Sequence, residues 1–193
     1  MTLILADRTH PLRGRLESMV RAVFLAEYGA CVPQFPDRLI ANLGADGIPQ
    51  AVAGLRFAAE GLFSEAYLDG AAETVLARAL GRPVRRDRIV EFSSLAAPRA
   101  GTAMPLIGAA IHVCRAAGAG FGLFTATARL RVLLRRTRLA AVDLGPARPE
   151  RLANAAVWGS YYLHDPRVLV ATADALPLLL APEAPSIEAR CHA

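Results

Sequence analysis

A glutamate inside an apolar strand is the residue of this sequence whose type and place most suggest chemistry. Glu91 lies between Val90 and Phe92, and the alternation of a strand points it away from those two side chains. A partly buried carboxylate has a raised pKa and can accept a proton from a nucleophile such as an amine. The alternative is a structural carboxylate that pairs with an arginine. The sequence leaves both interpretations open.

The segment that follows Glu91 has the composition of a loop that binds a negatively charged group. A helix is predicted over residues 102–117, with Thr102 as its N-cap, and small residues precede it. Backbone N–H groups in such a loop, and at a helix N-terminus, can approach an anion closely. The buried face of this helix is predicted to carry Met104, Ile107, Ile111 and Cys114. The residues predicted to bind the ligand are Phe92, Ser93, Ser94, Leu95, Arg99, Gly101, Thr102 and Ala103.

Length and composition indicate one globular domain over residues 1–176, followed by a tail, 177–193, that we expect to be loosely ordered. Of the 193 residues, 54% are apolar, but no apolar run reaches the 20 or so residues of a membrane span. The first residues carry Asp7 and Arg8 and do not form a secretory signal. Three widely spaced cysteines provide neither a disulfide framework nor a metal site. We therefore expect a cytoplasmic protein with no metal and no membrane span.

The positive charge of the chain is carried entirely by arginine. There are 22 basic residues, none of them lysine, and the net charge is +5. A predicted helix over 130–138 presents Arg131, Arg135 and Arg136, a face that suits an acidic protein partner such as a carrier protein. No aromatic residues are interleaved there, so a nucleic-acid partner is not indicated. A solvated face, or an arginine content set by genomic base composition, is the alternative.

The remaining pattern predicts an α/β fold with a mixed sheet. Helical periodicity covers 12–27, 73–80, 102–117 and 130–138. Strands are predicted at 38–43, 48–57, 87–96, 121–127 and 139–144, with late strands at 158–162 and 168–172. The turn at 44–47 makes the first two strands a hairpin, while the strand–helix–strand order that follows favours parallel pairing.

Several segments resemble known families of acyl-transferring proteins. Arg21, Phe24 and Tyr28, then Asp46 and Arg56, then Glu91-Phe92-Ser93-Ser94-Leu95, are similar to motifs of the acyl-homoserine-lactone synthases. The resemblance to the thermostable haemolysin family runs in order over about residues 10–172. It is carried by Glu27-Tyr28-Gly29-Ala30, Phe35-Pro36-Asp37-Arg38-Leu39, Ala51-Val52-Ala53-Gly54-Leu55-Arg56, Phe124-Thr125-Ala126-Thr127, Trp158-Gly159-Ser160-Tyr161-Tyr162 and His164-Asp165-Pro166-Arg167-Val168.

These resemblances imply a single-domain GNAT-like fold, a mixed central sheet flanked by helices, and transfer of an acyl group from a thioester to an amine. In such folds the pantetheine arm of the donor lies where two central strands separate, here 89–95 and 121–127. The resemblance implies catalytic roles for Glu91 and for Tyr161 or Tyr162, of which only one would serve because neighbours on a strand face opposite sides. It implies acceptor binding by Arg21, Arg56 and Thr125.

The loop at 97–101, which joins the strand of Glu91 to the next helix, departs from the GNAT donor-loop pattern at one place. Pro98 stands where that family has a basic or amide residue, with Arg99 one place later. This departure favours phosphopantetheine on an acyl carrier protein over coenzyme A, because the carrier-bound arm has no pyrophosphate. No tightly bound cofactor is expected. The rival hypotheses are a membrane-active, haemolysin-like protein and an inactive binding module of the same fold.

Overall fold

The computed structural model describes residues 2–136 and 139–172. Within them the chain forms one seven-stranded sheet in the order β1-β2-β3-β4-β5-β7-β6. Only the β4–β5 pair is parallel, which confirms the predicted mixed α/β sheet. The strands are β1 Thr2–Ala6, β2 Arg38–Leu43, β3 Pro49–Phe57, β4 Ile89–Ala96, β5 Phe121–Ala126, β6 Ala141–Pro146 and β7 Arg167–Thr172. The tail 177–193 and Arg138 lie outside the described residues.

Four α-helices in the described residues cover the two faces of the sheet. They are α1 Arg13–Tyr28, α2 Ala72–Leu80, α3 Ala103–Ala116 and α4 Ala128–Arg136. Leu16 and Val20 of α1 pack on Leu39 of β2, and Leu76 of α2 packs on the same face of the sheet. Leu106 of α3 packs with Ile40, the neighbour of Leu39, on the opposite face. The apolar alternation of the strands thus places α1 and α2 on one side and α3 on the other.

The central strands separate at one end, as predicted. The β4–β5 ladder ends at the pair Phe92 and Phe124, although β4 continues to Ala96 and β5 to Ala126. We call the opening beyond this last pair the strand gap. β4 also carries a bulge there, because two residue steps on β3 oppose three on β4. Within the bulge Ser94 has a φ of 52°, a left-handed conformation uncommon for a residue with a side chain.

One predicted strand was wrong, one strand was missed, and the predicted N-cap of α3 lies in place without its side-chain hydrogen bond. Residues 158–162 do not form a strand; the 3₁₀ helices Ala155–Trp158 and Tyr161–His164 replace it. This segment is held by the end of α1, where the Ser160 N–H donates to the Tyr28 carbonyl at 2.8 Å. Thr102 occupies the predicted N-cap position of α3, but its side chain makes no capping hydrogen bond to the helix, because its hydroxyl donates to the Arg99 carbonyl. β1 was missed because a five-residue apolar run does not reveal its own secondary structure.

Candidate active site

The strand gap leads into a large cavity, which we call the main cavity. Its volume is about 1460 Å³, above the range usual for small-molecule sites. Neighbouring residues of one strand, Glu91 and Phe92, both line it, as do Phe124 and Thr125 of the other strand. Because such neighbours face opposite sides of a sheet, the main cavity has walls on both faces. The separated strands therefore connect the α3 side with the α1 side.

The donor loop, residues 97–101, closes one end of the main cavity. Of the predicted donor residues, all but Thr102 line the cavity: Phe92, Ser93, Ser94, Leu95, Arg99, Gly101 and Ala103. Gly101 has a φ of 86°, so the turn into α3 needs a glycine. Beyond Phe92, β4 has no ladder partner on the β5 side. Backbone groups of Ser93 to Leu95 that face the strand gap are therefore available to a ligand.

A smaller groove lies on the other side of the donor loop. Its volume is about 290 Å³, and its lining includes Arg15, Gln50, Pro98 and Arg99. The Arg99 Nη1 lies 3.4 Å from the Gln50 Oε1. Two guanidinium groups thus border the donor loop, which suits a phosphate ligand. Arg15 was not predicted, because on a surface helix its type and spacing do not differ from those of a solvated arginine.

The α3 side of the main cavity is apolar. Ile107 and Ile111 line it, while Leu106 and Ala109 pack on the sheet. The predicted buried face of α3 was therefore rotated: of Met104, Ile107, Ile111 and Cys114, only Cys114 is fully buried. Burial raises the pKa of the Cys114 thiol to about 12, which leaves it unreactive as a nucleophile. From α4, Leu130, Leu133 and Leu134 also line the main cavity.

Glu91 lies on the opposite side of the strand gap and is 1% exposed. Its Oε2 accepts the Phe63 N–H at 2.7 Å, and its Oε1 accepts the Ser64 N–H at 2.8 Å and the Ser64 hydroxyl at 2.5 Å. No arginine of the described residues forms an ion pair with it. Burial raises the pKa of the Glu91 carboxyl, against the lowering effect of these hydrogen bonds and of the Arg56 charge. The site thus holds a buried carboxyl whose raised pKa favours the uptake of a proton.

Ser64 extends this arrangement towards the strand gap. Its hydroxyl lies 3.1 Å from the hydroxyl of Thr125, and both residues line the main cavity. Thr125 directly follows Phe124, the last residue of β5 paired with β4. Thr125 was predicted as an acceptor-binding residue, whereas Ser64 was not predicted at all. Ser64 belongs to a segment, 59–69, with no clear periodicity, which the structure shows as two 3₁₀ helices.

The two predicted tyrosines occupy different positions relative to the main cavity. The Tyr161 ring lines it and stacks with Phe24 at 6.4 Å between centroids. Tyr162 does not line it, but its hydroxyl is 2.7 Å from that of Tyr67, which does. The two neighbouring rings touch edge to face at 5.4 Å. The expectation that they face opposite sides of a strand was wrong, because the segment is a 3₁₀ helix.

The predicted acceptor arginines do not line the main cavity. Arg21 lies exposed on α1, with its guanidinium 3.3 Å from Glu17 and 4.7 Å from the centre of the Phe35 ring. Arg56 is the ladder partner of Glu91, and its guanidinium stacks 3.7 Å above the centre of the Phe63 ring. Its buried Nε has no hydrogen-bond partner in the described part of the chain. Arg56 therefore acts on the site through its charge and through Phe63.

The predicted basic surface on α4 divides into one structural and two exposed arginines. Arg131 is only 14% exposed and pairs with Asp165 at 2.5 Å, and it also donates to the Ala126 carbonyl at 3.0 Å. It joins α4 to the turn before β7 and is not a free surface group. Arg135 and Arg136 are exposed, and Arg136 borders the main cavity.

No three His, Cys, Asp or Glu side chains of residues 2–136 and 139–172 come together in a way that could hold a metal ion. In the same part of the chain, every helix is too short or too polar to cross a membrane.

Comparison with solved structures identifies the fold. BjaI, a CoA-dependent acyl-homoserine lactone synthase solved with SAM and isopentyl-CoA, is similar with a TM-score of 0.63 at 13% identity, over 97% of this chain and 93% of its own. FeeM, an N-acyl amino acid synthase from uncultured soil microbes, has a TM-score of 0.58 at 12% identity, over 88% and 95%. A GCN5-related N-acetyltransferase from Kribbella flavida has a TM-score of 0.53 at 14% identity, over 89% and 98%. At these identities the likeness shows a shared fold.

Sequence comparison identifies the family. No curated protein matches the chain. The sequence profile described as Thermostable hemolysin matches residues 6–176, which confirms the resemblance seen in the sequence. Because this match spans most of the chain, the protein belongs to the Thermostable hemolysin family.

Proposed function

We propose that the protein is an N-acyltransferase that moves an acyl group from a phosphopantetheine thioester to a small-molecule amine. The observation that carries this proposal is the strand gap, with an anion-compatible donor loop at its end and a buried carboxyl beside it. The fold shared with acyl-homoserine lactone synthases and with FeeM supports the same reaction class. The donor is the thioester of an acyl carrier protein or of coenzyme A.

The donor side is assigned to the α3 face. The pantetheine arm would enter the strand gap past Ser93 and Ser94, and its phosphate would lie near Arg99 of the donor loop. The apolar wall formed by α3 would take the acyl chain, since burial of each methylene contributes about 0.8 kcal/mol. Arg135 and Arg136 are exposed on α4, where Arg136 borders the main cavity, and would meet an acidic carrier protein.

The acceptor side is assigned to the α1 face. The amine would enter in its neutral form near Thr125 and attack the thioester carbonyl carbon in the strand gap. Backbone N–H groups of Ser93 to Leu95 would stabilise the oxyanion, and Glu91 would receive the amine proton. The C–S bond then breaks with its electron pair on sulfur, and the proton that Glu91 received passes to the sulfur, which leaves an amide and a thiol.

Tyr161 fits a positioning role better than a proton-donating one. Burial raises its pKa above the ordinary value of 10.0, whereas a thiol has a pKa of about 8.5. Proton transfer from Tyr161 to a departing thiolate is therefore unfavourable. The same holds for Tyr162, whose pKa is also raised by burial.

A donor screen tests the proposal. The purified protein is incubated with acyl carrier protein thioesters or acyl-coenzyme A of graded chain length, together with a mixture of amines, and amide products are detected by mass spectrometry. Direct detection of the amide product is preferable to a reagent that reacts with the released thiol, because Cys31 is itself an exposed free thiol. The sequence contains no lysine, so adducts on lysine cannot imitate turnover. No amide from any thioester, with lysis of vesicles instead, would favour the membrane-active alternative; no amide and no lysis would favour the inactive binding module.

A further inference from the structure

The position of Glu91 raises the question of how an amine proton reaches it. Glu91 is 1% exposed and Ser64 is 2% exposed, whereas Thr125 is half-buried and borders the strand gap. The Glu91 oxygens already accept three hydrogen bonds from Phe63 and Ser64. Of the three side chains, Thr125 is therefore the most accessible to an amine in the main cavity.

The hydrogen bonds between these residues have one consistent direction. An ionised carboxylate only accepts hydrogen bonds, so the Ser64 hydroxyl must donate its proton to Glu91. The Ser64 oxygen is then free to accept, and the Thr125 hydroxyl, 3.1 Å away, is the donor. The chain of donors thus runs from Thr125 through Ser64 to Glu91.

We propose that Thr125, Ser64 and Glu91 form a proton relay that takes the proton from the attacking amine, with Ser64 as the positioning residue in its centre. This inference rests on the proposed acyl transfer. As the C–N bond forms, the amine proton moves to the Thr125 oxygen, the Thr125 proton to Ser64, and the Ser64 proton to the Glu91 Oε1. As the C–S bond breaks, the sulfur leaves with the electron pair, and the proton returns along the same hydroxyls to give the thiol.

The groups that face Glu91 allow its ionisation to be read from a pH–rate profile. Arg56 faces it from β3 and Tyr67 from the 3₁₀ helix Phe63–Tyr67. Arginine stays charged throughout the accessible pH range, and burial raises the pKa of Tyr67 far above neutrality. Of these three groups, Glu91 alone changes charge as the pH passes from acid to neutral, and the rate should fall as the pH drops below the pKa of its carboxyl.

The test compares Ser64→Ala and Thr125→Val with Thr125→Ser, using Ser18→Ala and Thr74→Val as controls at exposed helical positions. We expect Ser64→Ala and Thr125→Val to lower kcat about 10²-fold or more with little change in KM, and Thr125→Ser to retain most of the rate. Ser64 lowers the pKa of Glu91 through its hydrogen bond. Ser64→Ala should therefore move the acid limb of the kcat profile to higher pH, which a role of Ser64 in packing alone would not do.

The outcomes separate the relay from the function on which it rests. Wild-type turnover that is unchanged in Ser64→Ala and Thr125→Val overturns the relay alone. A loss of rate in Thr125→Ser equal to that in Thr125→Val also overturns it, because serine preserves the hydroxyl. A wild-type protein that makes no amide overturns the proposed function and the relay together. Circular dichroism and thermal unfolding of each variant identify any that fail to fold. In that case the rate of Thr125→Ser, the mildest change, and its pH profile decide whether the relay exists.

Discussion

Glu91 combines a buried carboxyl with three donors that fix its orientation. Glu91→Gln keeps the size of the side chain but replaces one acceptor oxygen by an NH₂ group that faces the N–H of Phe63 or Ser64. We expect turnover to fall about 10²–10⁴-fold, because the amide cannot take a proton. Unfolding free energy should also fall by about 1–3 kcal/mol from the unsatisfied donors. Steady-state kinetics and urea unfolding measure both, with the exposed Glu150→Gln as the control.

The same variant separates catalysis from structure. Loss of stability with normal turnover would remove Glu91 from the mechanism and leave a carboxyl that only holds the 3₁₀ helix Phe63–Tyr67 in place. Loss of turnover beyond any change in stability would assign it to the reaction.

The raised pKa of Glu91 predicts how its contribution to stability depends on pH. Its folded-state pKa lies above the usual 4.5 because of burial, so folding favours the protonated form. The stabilisation is fully present below the unfolded-state pKa and is lost as the pH rises through the folded-state pKa. We expect the unfolding free energy of the wild type, minus that of Glu91→Gln, to decrease from pH 4 upward and then level off. A difference that increases with pH would show that the hydrogen bonds outweigh burial.

For single residues, the sequence predicted which residue types lie in the site but not which side chains they contact. The apolar neighbours of Glu91 predicted its burial, and the family resemblance singled out Thr125. Nothing predicted Ser64, since it lies 27 residues from Glu91 and meets it only when the irregular segment after β3 folds back over β4. In the sequence nothing distinguishes Arg131 from Arg135. In the structure Arg131 forms an ion pair with Asp165.

The turn from β4 into α3 depends on Gly101. Its φ of 86° is strained for any residue with a Cβ atom. We expect Gly101→Ala to lower the unfolding free energy by about 1 kcal/mol or more and to raise KM for the thioester donor. Gly14→Ala in α1 is the matched control, because a Cβ there meets no atom within 4 Å; it should be neutral or stabilising. An unchanged donor KM in Gly101→Ala would count against the donor loop.

The exposed arginines of α4 give a prediction about the donor. Arg135→Glu with Arg136→Glu should slow association with an acidic carrier protein, most strongly at low salt. The rate with acyl-coenzyme A should change less, because that donor brings no protein surface. Arg78→Glu with Arg148→Glu is the control for the same change in net charge at exposed positions that do not line the main cavity. Equal kcat/KM for wild type and variant with the carrier donor at low salt would argue against carrier docking at α4.

The bounds of helices and strands were easier to predict than which face of each element is buried. Strong periodicity located α1, α2, β2 and β4 to within a few residues, because amphipathic patterns fix such elements locally. The face of α3 was misjudged, since its large apolar residues line a cavity while its alanines pack on the sheet, an inversion of the usual rule. The predicted strand at 158–162 was wrong because the conformation of this segment depends on hydrogen bonds to the distant end of α1.

Over the whole molecule, the two faces of the sheet have different roles because β4 and β5 separate. The α3 face provides an apolar wall, and the α1 face provides the carboxyl, the hydroxyls and the aromatic rings. A sheet that was paired throughout would keep the two sets of residues apart. This division explains why only a few predicted residues of each element meet at the strand gap. It also explains why the distant resemblance to a fold predicted the arrangement around the gap better than any single motif.

The volume of the main cavity predicts a preference for long acyl chains, and a residue on α3 can test it. Ile111 lines the apolar wall, so Ile111→Trp should fill part of the space that an acyl chain would occupy. We expect kcat/KM to fall by about tenfold or more for long-chain thioesters, which is about 1.4 kcal/mol, and to change little for acetyl and butyryl donors. Ile111→Val is the matched control, because it removes one methyl group and adds no bulk. If Ile111→Trp lowers the rate equally for every chain length, the change acts on the fold and the wall does not hold the acyl chain. If long and short donors are equally good for the wild type and the variant, the acyl chain lies elsewhere, and the α1 face becomes the place to search for it.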